Sequence, residues 1–219
     1  MRRLCLQLIV MGAAVASLPM LAHAGAYEDY FEAVKIDDAA GVTSLLQRGF
    51  DPNTVEPQRG DTGLILALRE KAMKVFAVLL KARGTDIDRQ ANNGDTALMI
   101  AAYTANKVAV QALLDKGAAV NRAGWTALHY AAAAGDNDIV NLLLDKSAEL
   151  DALSPNKTTP IMMAARGGHI YTVKILLDAG ADAALKNDAG MSAIDFARQN
   201  GNKDIIEGLT YRLKKAGKL

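Results

Sequence analysis

One short motif occurs five times in this chain, and its spacing constrains the fold more than any other feature. Thr62-Gly63-Leu64-Ile65-Leu66-Ala67, Thr96-Ala97-Leu98-Met99-Ile100-Ala101-Ala102, Thr126-Ala127-Leu128-His129-Tyr130-Ala131-Ala132, Thr159-Pro160-Ile161-Met162-Met163-Ala164-Ala165 and Ser192-Ala193-Ile194-Asp195-Phe196-Ala197 begin at intervals of 34, 30, 33 and 33. A second register runs alongside: Leu45-Leu46, Leu79-Leu80, Leu113-Leu114, Leu143-Leu144 and Leu176-Leu177 recur at 34, 34, 30 and 33, and Leu209 falls 33 after Leu176. A sustained period of this length marks stacked units, each of which buries its apolar face only against its neighbours.

Each unit reads as a helix, a turn and a second helix. The Thr suits an N-cap, accepting a backbone N–H of the first turn, and Pro160 sits where a first-turn proline costs no hydrogen bond. The following Leu or Ile points inward, and the Ala pair lets two helices approach closely. The second helix carries apolar residues at helical spacing, as in Ile139, Val140, Leu143 and Leu144, and Gly49, Gly117 and Gly180 stand where a left-handed residue ends it. The segments around Asp51-Pro52-Asn53, Val120-Asn121 and Leu150-Asp151 lead into turns that project as fingers.

These residues resemble the ankyrin-repeat pattern, most closely in Thr159 to Ala165 and Leu176 to Asp182, and the resemblance covers about Tyr30 to Leu209. It implies an all-α solenoid of about six helix-turn-helix repeats with short β-turn fingers, in one domain spanning 25–219. The repeats fall near 29–53, 54–88, 89–121, 122–151, 152–184 and 185–213. The first lacks the Thr-capped turn; the last has Ser192 for Thr and ends in Arg212-Leu213-Lys214-Lys215. Both departures suit terminal caps, which need a polar outer face.

One departure lies inside the array. From Asn121 to Thr126 is 5 positions, whereas from Asp88 to Thr96 and from Asp151 to Thr159 it is 8, so this finger lacks three residues and a notch is expected in the finger row. Trp125 stands just before the helix cap on the floor of that notch. Two readings stay open for it, a contact with a partner or packing between neighbouring turns.

The first 24 residues read as a secretory signal peptide. Met1-Arg2-Arg3 is a basic start, Leu4 to Leu18 is uncharged and apolar, and Ala22-His23-Ala24 is an A-x-A cleavage site. The apolar run is short for a membrane span and Pro19 follows it, so no stable insertion is expected after cleavage. Removing Arg2 and Arg3 from 25 basic residues leaves 23 against 24 acidic ones, a formal −1. Such a balance gives no electrostatic reason to expect nucleic acid or an anionic membrane as partner. Cleavage also removes Cys5, the single cysteine, which excludes disulfides, thiol catalysis and Cys-ligated metal. The signal and repeat style are of bacterial kind, so the expected location is the periplasm.

Catalytic chemistry finds little to work with. The chain has no G-x-S-x-G, no H-E-x-x-H and no Gly-rich phosphate loop after a strand, and only His129 and His169 follow the signal. Both occupy positions where ankyrin repeats often use His structurally. Asp86-x-Asp88-x-Gln90 begins like a calcium loop but has Ala91 for the turn Gly and Ala97 for the bidentate Glu. The sequon Asn156-Lys157-Thr158 carries little meaning in a bacterial protein. Neither enzyme activity, cofactor nor metal is expected.

Function is therefore expected from surface. The resemblance implies protein binding on a concave face lined by fingers and first helices. By position the candidates are Arg59, Arg69, Asn92, Asn93, Asp95, Tyr103, Arg122, Trp125, Thr158 and Arg166, joined by Asp61, Glu70, Asn156, Asp188, Met191 and Gln199. Trp125, Tyr103, Arg69 and Arg166 lead, because aromatic and Arg side chains dominate binding hot spots. The expected role is a monomeric, non-catalytic periplasmic binding module. Exported bacterial ankyrin proteins of similar appearance are linked to supporting or protecting periplasmic enzymes, notably catalases under peroxide stress, and by analogy with them such a supporting role is the expectation. The alternative is an immunity protein neutralising a toxic effector in the same compartment.

Overall fold

The computed structural model describes residues 18–218, with side-chain surroundings from residue 25 onward. The expected signal peptide, 1–24, lies outside the described residues apart from the backbone of 18–24, which is helical. Six helix pairs follow in chain order: α1 (Leu18–Lys35) with α2 (Ala39–Gln47), α3 (Gly63–Arg69) with α4 (Met73–Lys81), and α5 (Ala97–Tyr103) with α6 (Lys107–Asp115). They continue as α7 (Ala127–Ala134) with α8 (Asn137–Asp145), α9 (Pro160–Gly167) with α10 (Ile170–Asp178), and α11 (Ala193–Gln199) with α12 (Lys203–Lys215). Extended pairing among the described residues is limited to one antiparallel bridge, Val55 with Thr62. The fold is the expected all-α solenoid.

The first helices α1, α3, α5, α7, α9 and α11 stack in sequence as one layer, and the second helices form another behind it. Packing follows the two registers. Leu45, Leu79, Leu113, Leu143, Leu176 and Leu209 form a buried column through the second layer, and Ala101, Ala102, Ala131, Ala132, Ala164 and Ala165 are buried where first helices meet. Burying one such Leu stabilises by about 1.5–3 kcal/mol, so the column is a main source of cohesion between repeats.

The caps form as their sequences dictate. Thr62 accepts the Ile65 N–H at 3.3 Å and Thr96 the Met99 N–H at 3.4 Å. Ser192 departs only in detail: Asp195 reaches back to its backbone N–H at 2.9 Å. Gly49, Gly117 and Gly180 have φ of 90°, 88° and 103°, the left-handed conformation expected after the second helix.

The first repeat is held differently. Helix α1 continues N-terminally past residue 29, and its Tyr27, Tyr30 and Phe31 pack edge to face at 4.9–5.0 Å. Tyr30 is fully buried, stacks on Phe50 at 4.5 Å and donates its hydroxyl to the Pro52 carbonyl. These contacts take the place of the Thr-capped turn. Among the described residues the C-terminal end has no such cluster; α12 is longer than the other second helices and carries Arg212, Lys214 and Lys215 in its last turn.

Candidate functional site

Counting from the capping residue of each repeat shows which side chains share the face made by fingers and first helices. One position before the cap stand Asp61, Asp95, Trp125, Thr158 and Met191; four after it Leu66, Ile100, Tyr130, Met163 and Phe196; seven after it Arg69, Tyr103, Ala133, Arg166 and Gln199. The last row is large everywhere except at Ala133. That gap opens a cleft of about 280 Å³, with Tyr103 and Arg166 at its two ends, Tyr130 and Met163 on its floor and Trp125 as its wall. Trp125, at the end of the shortened finger, borders it, and the expected grouping of Tyr103, Trp125 and Arg166 across three successive repeats is present.

The aromatic rings hold one another in place. Tyr103 meets Tyr130 edge-on at 5.9 Å, and Trp125 meets Tyr130 at 6.5 Å and the His129 ring at 5.2 Å. Tyr103 is 58% exposed, Arg166 is exposed, and Trp125 is half-buried. Trp125 therefore packs between turns while one side of its ring lines the cleft.

Beneath the cleft runs an ionic network across three repeats. Asp61 is fully buried and Asp95 is 4% exposed. Arg69 lies between them: its Nε is 2.8 Å from Asp61 Oδ2, off the hydrogen-bond axis, and its Nη2 donates to Asp95 Oδ2 at 2.8 Å. Asn93 donates to the same Asp95 oxygen at 2.8 Å, and the Tyr130 hydroxyl donates to the other. Burial alone would raise the Asp95 pKa, but the bonds from Tyr130, Asn93 and Arg69 outweigh it and hold it below the ordinary carboxylate value. For Asp61 burial wins over Arg69 and the pKa is raised. Burial and then the Asp95 hydrogen bond push the Tyr130 phenol up, so it stays a donor.

This network corrects part of the sequence reading. Asp95 and Thr158 are buried and do not reach the surface; the polar residue before each cap turns inward to satisfy groups of the adjoining repeat, as Thr158 does by accepting from Asn187 at 3.4 Å. Asp61 is buried as well, facing Arg69 of its own repeat, and Arg69 is spent on the two carboxylates. Arg122 donates to the Gly94 carbonyl at 2.6 Å, bracing the shortened finger from the side. Arg59, Asn92 and Asn93 are exposed on the fingers, where the Asn92 N–H bonds the Arg59 carbonyl at 2.8 Å. Tyr130, Met163 and Ala133 were not among the expected residues. Their signal was available in the register, where an Ala interrupts a row of large side chains.

Both histidines bridge repeats. His129 Nδ1 accepts the Thr126 N–H at 3.2 Å, and Nε2 donates to the Thr158 carbonyl at 2.9 Å, which fixes the neutral Nε2–H tautomer. Burial lowers its pKa, more than the Thr158 carbonyl raises it. His169 places Nε2 at 3.0 Å from the Ala133 carbonyl, with its ring over Gly135 and Gly167. Among the described residues no group of three or more His, Cys, Asp or Glu is placed to hold a metal, and no helix is long and apolar enough to cross a membrane.

Fold and face together define a class: a solenoid of stacked helix pairs that presents one continuous row of fingers and helices for protein–protein interaction. The family profile described as ankyrin repeats (3 copies) matches residues 69–154 and 147–216. The chain belongs to the ankyrin-repeat family, which is typically non-catalytic. It is 36% identical over 175 residues to SH3 and multiple ankyrin repeat domains protein 2 of Homo sapiens, a match covering 78% of this chain and 10% of that protein. It is 31% identical over 160 residues to Transient receptor potential cation channel subfamily A member 1 of Homo sapiens, covering 68% of this chain and 14% of the channel subunit. Neurogenic locus notch homolog protein 1 of Xenopus tropicalis is 36% identical over 123 residues, 55% of this chain and 5% of that protein. The chain thus spans a small part of each of these relatives.

Proposed function

We propose that this protein is a non-catalytic binding module of the bacterial periplasm, which holds a partner protein against its finger face and thereby supports or protects a periplasmic enzyme. The observation that carries the binding reading is the cleft at Ala133, an apolar hollow with an exposed aromatic at one end and an exposed Arg at the other. Aromatic side chains anchor interfaces because they bury large area with few rotatable bonds, and Arg because its planar guanidinium supplies charge-assisted contacts. The export reading rests on Met1-Arg2-Arg3, the apolar run after it and Ala22-His23-Ala24.

Photo-crosslinking in living cells tests both parts. A crosslinking amino acid placed at Tyr103 should trap one partner in the periplasmic fraction, while the same group at Val108, 76% exposed on the second layer, should trap none or a diffuse set. In the crosslinked product this chain should begin at Gly25. Equal trapping from both positions would contradict the face assignment, and an intact mass that includes residues 1–24 would contradict export.

A further inference from the structure

The charges around the cleft specify what enters it. Arg166 is the single charged side chain on its walls, is exposed, and makes no ion pair among the described residues. Arg122, half-buried beside the cleft's repeat, donates to the Gly94 carbonyl and likewise makes no ion pair among the described residues. Of the acids nearby, Asp95 lies under the floor with one oxygen bonded to Tyr130 and the other to Arg69 and Asn93, and Asp61 faces the same Arg69. Arg69 answers one of these two carboxylates and neutral donors hold Asp95, while Arg122 and Arg166 stand on the cleft's side with no ion pair, so the cleft mouth at Arg166 is left electropositive beside rings that are mostly apolar. A cation entering the aromatic box would meet Arg166 at its mouth. An apolar group carrying a carboxylate would stack in the box and meet the guanidinium in a charge-assisted pair.

Size narrows the occupant further. The cleft is open and small, about 280 Å³, at the lower edge of the range for small-molecule pockets, a space that a protruding side chain of a partner protein can fill. Resting on the protein-binding reading above, we infer that the cleft takes an apolar side chain of the partner protein with an Asp or Glu carboxylate beside it, the apolar group seated between Tyr103, Trp125 and Tyr130 and the carboxylate on Arg166. The pairing makes Arg166 the residue that sets charge specificity, and the aromatic box the part that binds regardless of charge.

Trp125 is the chain's single tryptophan, so its emission reports directly on the cleft. The probes are 4-phenylbutyrate, 4-phenylbutyramide and 4-phenylbutylamine, which share a ring and tail and differ in the head group. In titrations followed by Trp125 emission, the carboxylate should bind about tenfold tighter than the amide, a difference of ~1.4 kcal/mol, and the amine weakest. In Arg166→Gln the carboxylate should fall to the level of the amide while the amide is unchanged. The Arg166 side chain is exposed and makes no ion pair among the described residues, so this variant should melt like the wild type. Equal binding of the three probes, tighter binding of the amine, a preference that survives Arg166→Gln, or no saturable change with 4-phenylbutyrate up to tens of millimolar would each overturn the inference. A crosslinked partner at Tyr103 whose affinity ignores Arg166→Gln would overturn it too while leaving the binding reading intact; no partner at Tyr103 would overturn the reading on which it rests.

Discussion

His129 shows how one side chain can fix a repeat and make it sensitive to acid. Its Nδ1 already accepts a backbone N–H, so a second proton there would set two donors against each other inside the protein. The folded-state pKa is accordingly depressed below 6.5, and the unfolded chain binds a proton first as pH falls. Stability from this group is fully present above pH 6.5 and is lost on acidification until the folded-state pKa is reached. Urea midpoints between pH 7.5 and 5.5 should therefore fall for the wild type and fall less for His129→Gln, which should also be about 1–3 kcal/mol less stable at pH 7.5. Parallel pH profiles would refute this role. Gly135 offers a second test at this scale. It ends α7 with φ 75°, and a Cβ there would stand 2.3 Å from the His169 ring. Gly135→Ala should cost about 1–3 kcal/mol from left-handed strain and crowding together, and denaturant melts matching the wild type would mean that the ring gives way freely.

At the scale of elements, the helix pairs cohere through a leucine column and an ionic rung. Leu143 is fully buried in α8, so Leu143→Ala should cost about 2–5 kcal/mol, whereas exposed Lys116→Ala should change little. Lys157 serves poorly as such a control, because its φ is 58° and its ammonium pairs with Asp188 at 2.7 Å. Arg69→Met should cost about 2–4 kcal/mol by stranding Asp61 and Asp95; the value is set below that of a fully buried pair because 22% of the Arg69 side chain meets water. A loss under ~1 kcal/mol would show that the network is not holding repeats two to four together. The helices and their order were legible in the sequence because capping Thr and core Leu repeat with the geometry of one unit. The environments of Asp95 and Thr158 were not. Their polarity reads as exposure, yet each position folds inward to serve groups supplied by another repeat, which no local pattern reveals. Of the aromatic clasp, Tyr27, Tyr30 and Phe31 neighbour one another along α1, and the part that no local pattern reveals is the Tyr30–Phe50 contact made across the first helix pair.

For the whole molecule, function comes down to where a regular array becomes irregular. A solenoid of identical repeats would present a uniform face; here a missing stretch of finger and a small residue at Ala133 coincide in one repeat, and the hollow they leave is lined by Tyr103, Trp125, Tyr130, Met163 and Arg166. The finger deletion was visible in the sequence, while the second half of the hollow emerged only when the rows were set side by side in space. The partner's identity has no such trace, because complementarity is written half in another chain. The most direct measurement is calorimetric titration of the crosslinked partner, once purified, against wild type, Tyr103→Ala, Arg166→Ala and Asn156→Ala, each with its melting temperature. Tyr103 and Arg166 are exposed, so their variants should fold as the wild type does, and each should lose at least ~2 kcal/mol of binding, about 30-fold in affinity, while Asn156→Ala on the neighbouring finger stays within about twofold. Wild-type affinity in both Tyr103→Ala and Arg166→Ala would place the partner on another surface and contradict the account.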